Sequence, residues 1–292
     1  MEERKDWTVE EVEYLTLNYN KIPSNEIMTY LDRGKGSIRA KAMKLGLTEK
    51  GNRYTFNSHY FDVIDTDEKA YWLGFLWSDG YVCKRNRNGN DAYELNVRLM
   101  ESDSSHLEKL KKCLDSSHEI KFVKGHSRFI ENYTYSKLYI SNKHLCSTLY
   151  ETYGIIPNRY DISKILKHLP KEYEKSFILG VLDADGSFSK YTSHSENKNA
   201  DYIKYRVSFG GSEMLLRFIE SHLYERRLIE NKNHMLYKRH KDDGKDGHFL
   251  SLDFTGRIQC NNILNYLYDN QNMYLDRKYE KYKNIITALK NK

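Results

Sequence analysis

Two stretches decide the reading of this chain: WLGFLWSDG at residues 72–80 and ILGVLDADG at residues 178–186. Each is an apolar run with glycine at its third position, a small residue at its seventh, and Asp-Gly at its end. Helical spacing sets Gly74 one turn from Ser78, and Gly180 one turn from Ala184, so each helix offers a small-residue face that admits a second helix backbone at short range. The two helices are expected to pack on each other through these four residues. Asp79 and Asp185 then stand at adjacent helix C-termini, where each carboxylate meets a negative dipole end and a like charge. That placement calls for a cation, and hard oxygen ligands favour Mg²⁺, which can activate a water and stabilise a leaving phosphodiester oxygen. Gly80 and Gly186 are expected to end the helices in left-handed geometry and turn the chain into strands.

Working outward, the elements around the two stretches repeat in the same order. After the first come an alternating segment at 93–100, a helix at 106–114, a hairpin through KFVKG and YSKLYIS, and a helix from Lys143 to Tyr153. After the second come YIKYRVSF, a helix at 214–223, a hairpin ending HFLSLDF, and a helix from Arg257 to Tyr268, with a final helix near 273–290. The pattern predicts an α+β fold of two pseudo-symmetric αββαββα halves. Residues 67–156 form the first half, 157–170 a connector bounded by Pro157 and Pro170, and 171–292 the second half.

The second stretch closely matches the signature of the LAGLIDADG homing endonucleases, and residues 65–290 resemble their single-chain, two-motif members. The resemblance implies a DNA-binding saddle, hydrolysis of both strands of a long asymmetric target, and Mg²⁺ as cofactor with Mn²⁺ able to substitute. It assigns Asp79 and Asp185 as catalytic, metal-binding carboxylates, with the backbone carbonyls of Ser78 and Ala184 completing the metal site. It also implies a basic residue near the scissile phosphates from the end of the fourth strand, which selects Lys143 and Arg257. The first copy departs from the pattern by having Trp77-Ser78 where the second has Asp183-Ala184.

Residues 1–48 read as a separate all-α module. Thr8 and Glu11 form a capping box ahead of a helix with Val12 and Leu15, a second helix begins near Ser24, and Gly34-Lys35-Gly36 is expected to turn into a third helix capped by Ser37 and stopped by Gly46. The WTVEE start and SIRAKAMKLGL end resemble Myb/SANT-like helix-turn-helix modules. Arg33, Lys35, Ser37, Arg39, Lys41 and Lys44 gather around the third helix, where a recognition helix would meet DNA. Residues 49–66 lack periodicity and read as a linker.

A net charge of +6 on 292 residues suits an anionic partner, because Lys and Arg bind phosphates by releasing counterions. Candidate DNA contacts in the two halves are Lys84, Arg85 and Arg87 at the first hairpin, Lys190 and Lys198 at its counterpart, Asn96, Arg98 and Arg206 on the alternating strands, and Lys238 and Arg239 in the long 231–248 segment. Four cysteines without a CxxC pair exclude the usual zinc-ribbon and thioredoxin readings. No apolar leader or membrane-length stretch is visible, which places the expected site of action in the cytoplasm of a bacterial or phage-infected cell, organellar origin remaining open. A monomer acting on double-stranded DNA is expected. A non-catalytic regulator and an intron-RNA maturase are the alternatives, and the intein terminal nucleophile and His-Asn pair are missing.

Overall fold

Thr8 opens the first helix in the way WTVEE predicts. Its hydroxyl accepts from the Glu11 amide at 3.2 Å, and the Glu11 carboxylate accepts from the Thr8 amide at 2.8 Å, a reciprocal cap that contributes about 1 kcal/mol. The computed structural model describes residues 6–19, 22, 24–47, 54–87, 89–126, 132–195, 199–238 and 249–290. They belong to two units, Met1–Thr55 and Phe56–Lys292.

In the N-terminal unit, α1 (Val9–Asn18), α2 (Ser24–Leu31) and α3 (Lys35–Lys44) close on a small core of Leu15, Ile27, Leu31, Ile38 and Ala42. The turn into α3 lies earlier than the glycines suggest. Asp32 takes a positive φ of 47°, Gly34 occupies the N-cap without a side-chain bond, and Ser37 sits inside the first turn instead of capping it. Gly46 does leave the helix with φ 70°, the left-handed conformation glycine adopts at little cost.

The larger unit contains the duplicated architecture. Its first half runs α4 (Asp67–Asp79), β1 (Gly80–Arg87), β2 (Asn90–Met100), α5 (Ser104–Cys113), β3 (Lys121–Gly125), β4 (Tyr133–Ser141) and α6 (Lys143–Ser147). A π turn, Thr148–Thr152, continues α6, so the single helix expected to Tyr153 changes pitch midway. After α7 (Ser163–His168) in the connector, the second half runs α8 (Glu174–Asp185), β5 (Ser187–Ser195), β6 (Ala200–Gly211), α9 (Glu213–Glu225), β7 (Leu236–Lys238), β8 (Leu250–Thr255) and α10 (Arg257–Tyr268), with α11 (Asp276–Lys290) after it. The sheets are antiparallel with matching orders, β1-β2-β4-β3 and β5-β6-β8-β7. Thr66, Asn142 and Ser212 cap α4, α6 and α9 through their side-chain oxygens.

The helices α4 and α8 meet at their glycines. A Cβ on Gly74 would lie 2.1 Å from the Phe177 carbonyl oxygen, and one on Gly180 would lie 2.1 Å from the Tyr71 carbonyl oxygen. Tyr71 and Phe177 hold matching positions in the two copies, so the contact is reciprocal. Around this seam the core continues through Leu73, Leu76, Leu179 and Leu182 into Leu95, Val97, Val207 and Phe209 of the sheets, all fully buried.

Two expectations are corrected here. Gly80 and Gly186 are extended, with φ of −94° and −85°. Glycine is favoured for space: a Cβ there would lie 3.0 Å from the Leu76 carbonyl oxygen and 2.7 Å from the Leu182 carbonyl oxygen. The second correction concerns the linker. Tyr60, Phe61 and Ile64 are buried in the main core, and the Tyr60 hydroxyl donates to Glu68 at 2.7 Å, so the chain from Phe56 onward packs with the first half. Aromatic residues in an aperiodic stretch were the visible sign of that burial.

Candidate active site

Asp79 and Asp185 are the last residues of α4 and α8, brought together by the glycine seam. Burial pushes the Asp79 carboxyl up to about 7, the charge of Asp185 adds to the rise, and Lys278 and Arg159 oppose it. The pair is therefore close enough for each charge to matter to the other, and two cations are built in beside it.

Arg159 follows the last helical turn of the first half. Its Nη2 donates to the carbonyls of Leu76 at 3.2 Å and Ser78 at 2.8 Å, and its Nη1 donates to Ile156 at 2.9 Å. The guanidinium lies 5.4 Å from the Trp77 ring centroid. Burial lowers its pKa to about 10, against the pull of Asp185 and Asp79. Lys278, on α11, does the same for the second half: its Nζ donates to the carbonyls of Leu182 at 2.6 Å and Gly186 at 2.7 Å. Burial lowers it to about 8, with Asp183 the strongest opposing charge. Each cation thus sits on the negative end of one motif helix, where the dipole favours it.

The altered first motif now has a physical account. Asp183 is completely buried and accepts from the Tyr71 hydroxyl at 2.9 Å, the Tyr268 hydroxyl at 2.7 Å and the Leu275 amide at 2.7 Å. It ties the start of α11, and so Lys278, to α8. Trp77, its counterpart, supports Arg159 by its ring instead.

Sequence reasoning missed Arg159 and Lys278 and selected Lys143 and Arg257. The latter two are the first residues of α6 and α10 and are exposed. They are not among the charges acting most strongly on Asp79. Strand register supplies the reason: Gly80, next to Asp79, pairs with Val97, whereas Ser141, ahead of Lys143, pairs with Glu94. Three residues of strand separate the two levels, roughly 10 Å. Of the helix-end carbonyls, that of Ser78 accepts from Arg159, and those of Leu182 and Gly186 accept from Lys278.

The donor set fits a hard divalent cation. It consists of two carboxylates and helix-end carbonyls, all oxygen. Among the described residues, the buried Ser78 Oγ and Arg159 Nε have no hydrogen-bond partner, and buried polar atoms of that kind ask for a ligand or water.

The faces of the sheets turned away from the helices differ between the halves. On the first, Arg98 pairs with Lys137 and Lys137 with Lys121 across three strands. Directly opposed like charges are destabilising, and Lys137 is lowered by burial and by both neighbours. Arg98 lies 5.6 Å from the Tyr135 ring centroid, and Lys137 5.2 Å from that of Tyr139. On the second sheet the corresponding row is Gly210, Ser251 and Tyr237, and Arg206 is held by Asp253 at 2.5 Å.

Other expected contacts are redistributed. Lys84 and Lys190 pair with the inward Tyr93 and Tyr205, which places both on the helix-facing side by alternation; Lys84 is ion-paired with Asp91 at 3.0 Å. Arg85 is on the outer side, 3.5 Å from the Glu94 carboxylate. Asn96 is buried and donates to the Glu94 carbonyl. Lys238 ends β7, exposed. Arg87 ends β1, but its side chain, like Lys198 and Arg239, falls outside the described residues. In the N-terminal unit, Arg33 is absorbed by the fold: Glu11 accepts from its Nε at 3.0 Å and its Nη2 at 2.9 Å, and Trp7 lies beneath it at 4.3 Å. Lys35, Ser37, Arg39 and Lys44 are exposed and Lys41 half-buried.

The two-sheet architecture is that of LAGLIDADG homing endonucleases. The chain is similar to the I-LtrWI LAGLIDADG homing endonuclease bound to target DNA, with a TM-score of 0.51 and 13% identity over 81% of this chain and 92% of that one. It is also similar to the meganuclease I-SmaMI bound to uncleavable DNA, with a TM-score of 0.52 and 14% identity over 74% and 88% of the two chains. A curated relative, uncharacterized protein Lin2600 of Listeria innocua serovar 6a, is 25% identical over 251 residues, covering 85% of this chain and 96% of its own. No family model matches.

Proposed function

We propose that the chain is a DNA endonuclease that hydrolyses both strands of a long, asymmetric target in a Mg²⁺-dependent reaction, acting as a monomer. The observation that carries this reading is the meeting of Asp79 and Asp185 at the ends of two packed helices, each end holding its own cation, Arg159 half-buried and Lys278 buried. Asp79 and Asp185 hold the metal, which when bound supplies an activated water and charge neutralisation at the leaving oxygen. Arg159 and Lys278 stabilise negative charge at the phosphate from fixed positions, as preorganised groups do in a water-poor site. The row Arg98, Lys137 and Lys121 favours a polyanion, whose phosphates relieve the mutual repulsion of the three side chains. Different outer faces on the two sheets suit two different half-sites.

The direct test is incubation of the full chain with a source-genome DNA library and Mg²⁺. Double-strand breaks at one long site are expected, and binding without breaks would favour a regulator. Metal affinity should also fall as the solution is acidified below pH 7, by about tenfold per unit at most, because the proton on Asp79 competes with the cation. Isothermal titration with Mg²⁺ between pH 6 and 8.5 checks this.

The N-terminal unit is proposed to add DNA affinity through Lys35, Ser37, Arg39, Lys41 and Lys44. Deleting residues 1–48 should weaken binding about tenfold or more at moderate salt and reduce its salt dependence, with cutting chemistry retained. Affinity measured by fluorescence anisotropy over a salt series reads the effect.

A further inference from the structure

Outside the aspartate pair, the described residues contain one group of three metal-binding side chains: His59, Asp62 and His144, whose ligand atoms all lie within 4.8 Å of one another. We propose that these three residues form a transition-metal site, best suited to Zn²⁺, that fastens the segment preceding α4 to the start of α6.

The Asp62 carboxylate stands between the two imidazoles, one oxygen 2.7 Å from His59 Nδ1 and the other 2.7 Å from His144 Nε2. The ring centroids are 4.2 Å apart. Two ring nitrogens and a carboxylate oxygen around one point match the borderline N/O preference of Zn²⁺ and are unlike the all-oxygen set at Asp79 and Asp185. Tetrahedral Zn²⁺ with bonds near 2.0–2.1 Å holds its ligand atoms roughly 3.3 Å apart, so only small side-chain rotations bring the three onto one ion. On binding, the metal takes the ring lone pairs, and the N–H now directed at Asp62 moves to the other nitrogen of each neutral ring. All three side chains are exposed, which leaves the fourth position to water.

The backbone beneath the ligands is already fixed. His59 and Asp62 flank Tyr60 and Phe61, both buried, and the Asp62 amide donates to the His59 carbonyl at 3.1 Å to close the turn. The Asn57 side chain accepts from the His59 amide at 3.0 Å. His144 is followed by the buried Leu145 and Cys146. Ligands preset in this way lose less freedom on binding than ligands on free loops. The hydrogen-bonded cluster spans from residue 59 to residue 144, so an ion there cross-links distant parts of the chain and stabilises the folded state by mass action.

The test uses the full-length chain with Asp79→Asn and Asp185→Asn together, which removes the competing carboxylates, in Mg²⁺-containing buffer at pH 7.5. Zn²⁺ is titrated against a chromophoric chelator, and Co²⁺ is added separately for its visible ligand-field bands. One tight Zn²⁺ equivalent is expected, weakened at least tenfold by His59→Ala and by His144→Ala, with the Co²⁺ bands lost and the far-UV circular dichroism unchanged. His59, with 69% of its side chain exposed, can be replaced without disturbing the core, so its variant remains informative if His144→Ala misfolds. Zn²⁺ binding of equal strength in the His59 variant, or no binding by the parent at micromolar Zn²⁺, overturns the proposal and leaves the three residues as a hydrogen-bonded clamp.

Discussion

Asp79→Asn is expected to lower DNA cleavage on the order of a thousandfold or more, with target binding retained, and Asp185→Asn is expected to do the same. The magnitude follows from the value of a preorganised charge in a desolvated site, here combined with loss of a metal ligand. A second signature separates this from general damage. The folded-state pKa of Asp79 lies above the ordinary carboxylate value, at about 7. A raised value means a contribution to stability that is fully present below the unfolded pKa, near 3.9, and is lost as pH rises through about 7. In metal-free solution the parent should therefore lose thermal stability between about pH 4 and pH 7.5. Asp79→Asn should show a shallower loss and a higher melting temperature above pH 7, because the amide carries no charge beside Asp185. A variant that lost both cutting and stability would place Asp79 in the scaffold and not in the chemistry.

How much of this site was legible in the sequence depended on distance along the chain. The aspartates and their supporting glycines sit within one short motif, and helical periodicity alone sets Gly74 and Gly180 on one face and each Asp at an end. Topology was equally legible in the sequence, since the two halves repeat the same order of elements and each motif helix runs directly into its first strand. The cations were not local. Arg159 in IIPNRYD and Lys278 in LDRKYE lie beyond the last helix of each half, in segments of different length and composition, and no spacing rule ties them to Asp79 or Asp185. Their role appears only when a tertiary contact brings them to the carbonyls of Leu76, Ser78, Leu182 and Gly186. One hint was available: Asp183 is an acid in the middle of an apolar helix, and such a residue needs partners from elsewhere. Following it leads to Leu275 and thence to Lys278. Alternation likewise assigns Lys84 to the helix-facing side once Val82 is taken as core, a step that treating the hairpin tip as uniformly basic conceals. Clustering of Arg33 with other cations says nothing of the Glu11 and Trp7 that enclose it.

Gly180→Ala should be the most damaging single methyl addition in the larger unit, and Gly74→Ala its near equal. The added carbon would lie 2.1 Å from the Tyr71 carbonyl oxygen and 2.8 Å from the Phe75 amide nitrogen, or, at Gly74, 2.1 Å from the Phe177 carbonyl oxygen. Backbone atoms cannot rotate aside as a flexible side chain can, so the helices must separate. Overpacking in a well-packed core costs about 1–3 kcal/mol and occasionally more, and a clash with the backbone of the partner helix belongs at the upper end. Against that stands the usual gain of Gly→Ala within a helix, about 1 kcal/mol. The clash wins, and a net loss of about 2 kcal/mol or more is expected in urea unfolding. The same shift moves Asp79 away from Asp185. Cleavage should therefore fall by more than the lost stability explains, under conditions where the variant is still folded. The control is Gly89→Ala at the first hairpin tip, where a Cβ meets nothing within 4 Å. It carries only the strain of a positive φ of 79° and should leave the metal dependence of cutting unchanged. Equal loss of cutting in the two variants would mean that the helix seam does not set the spacing of the carboxylates.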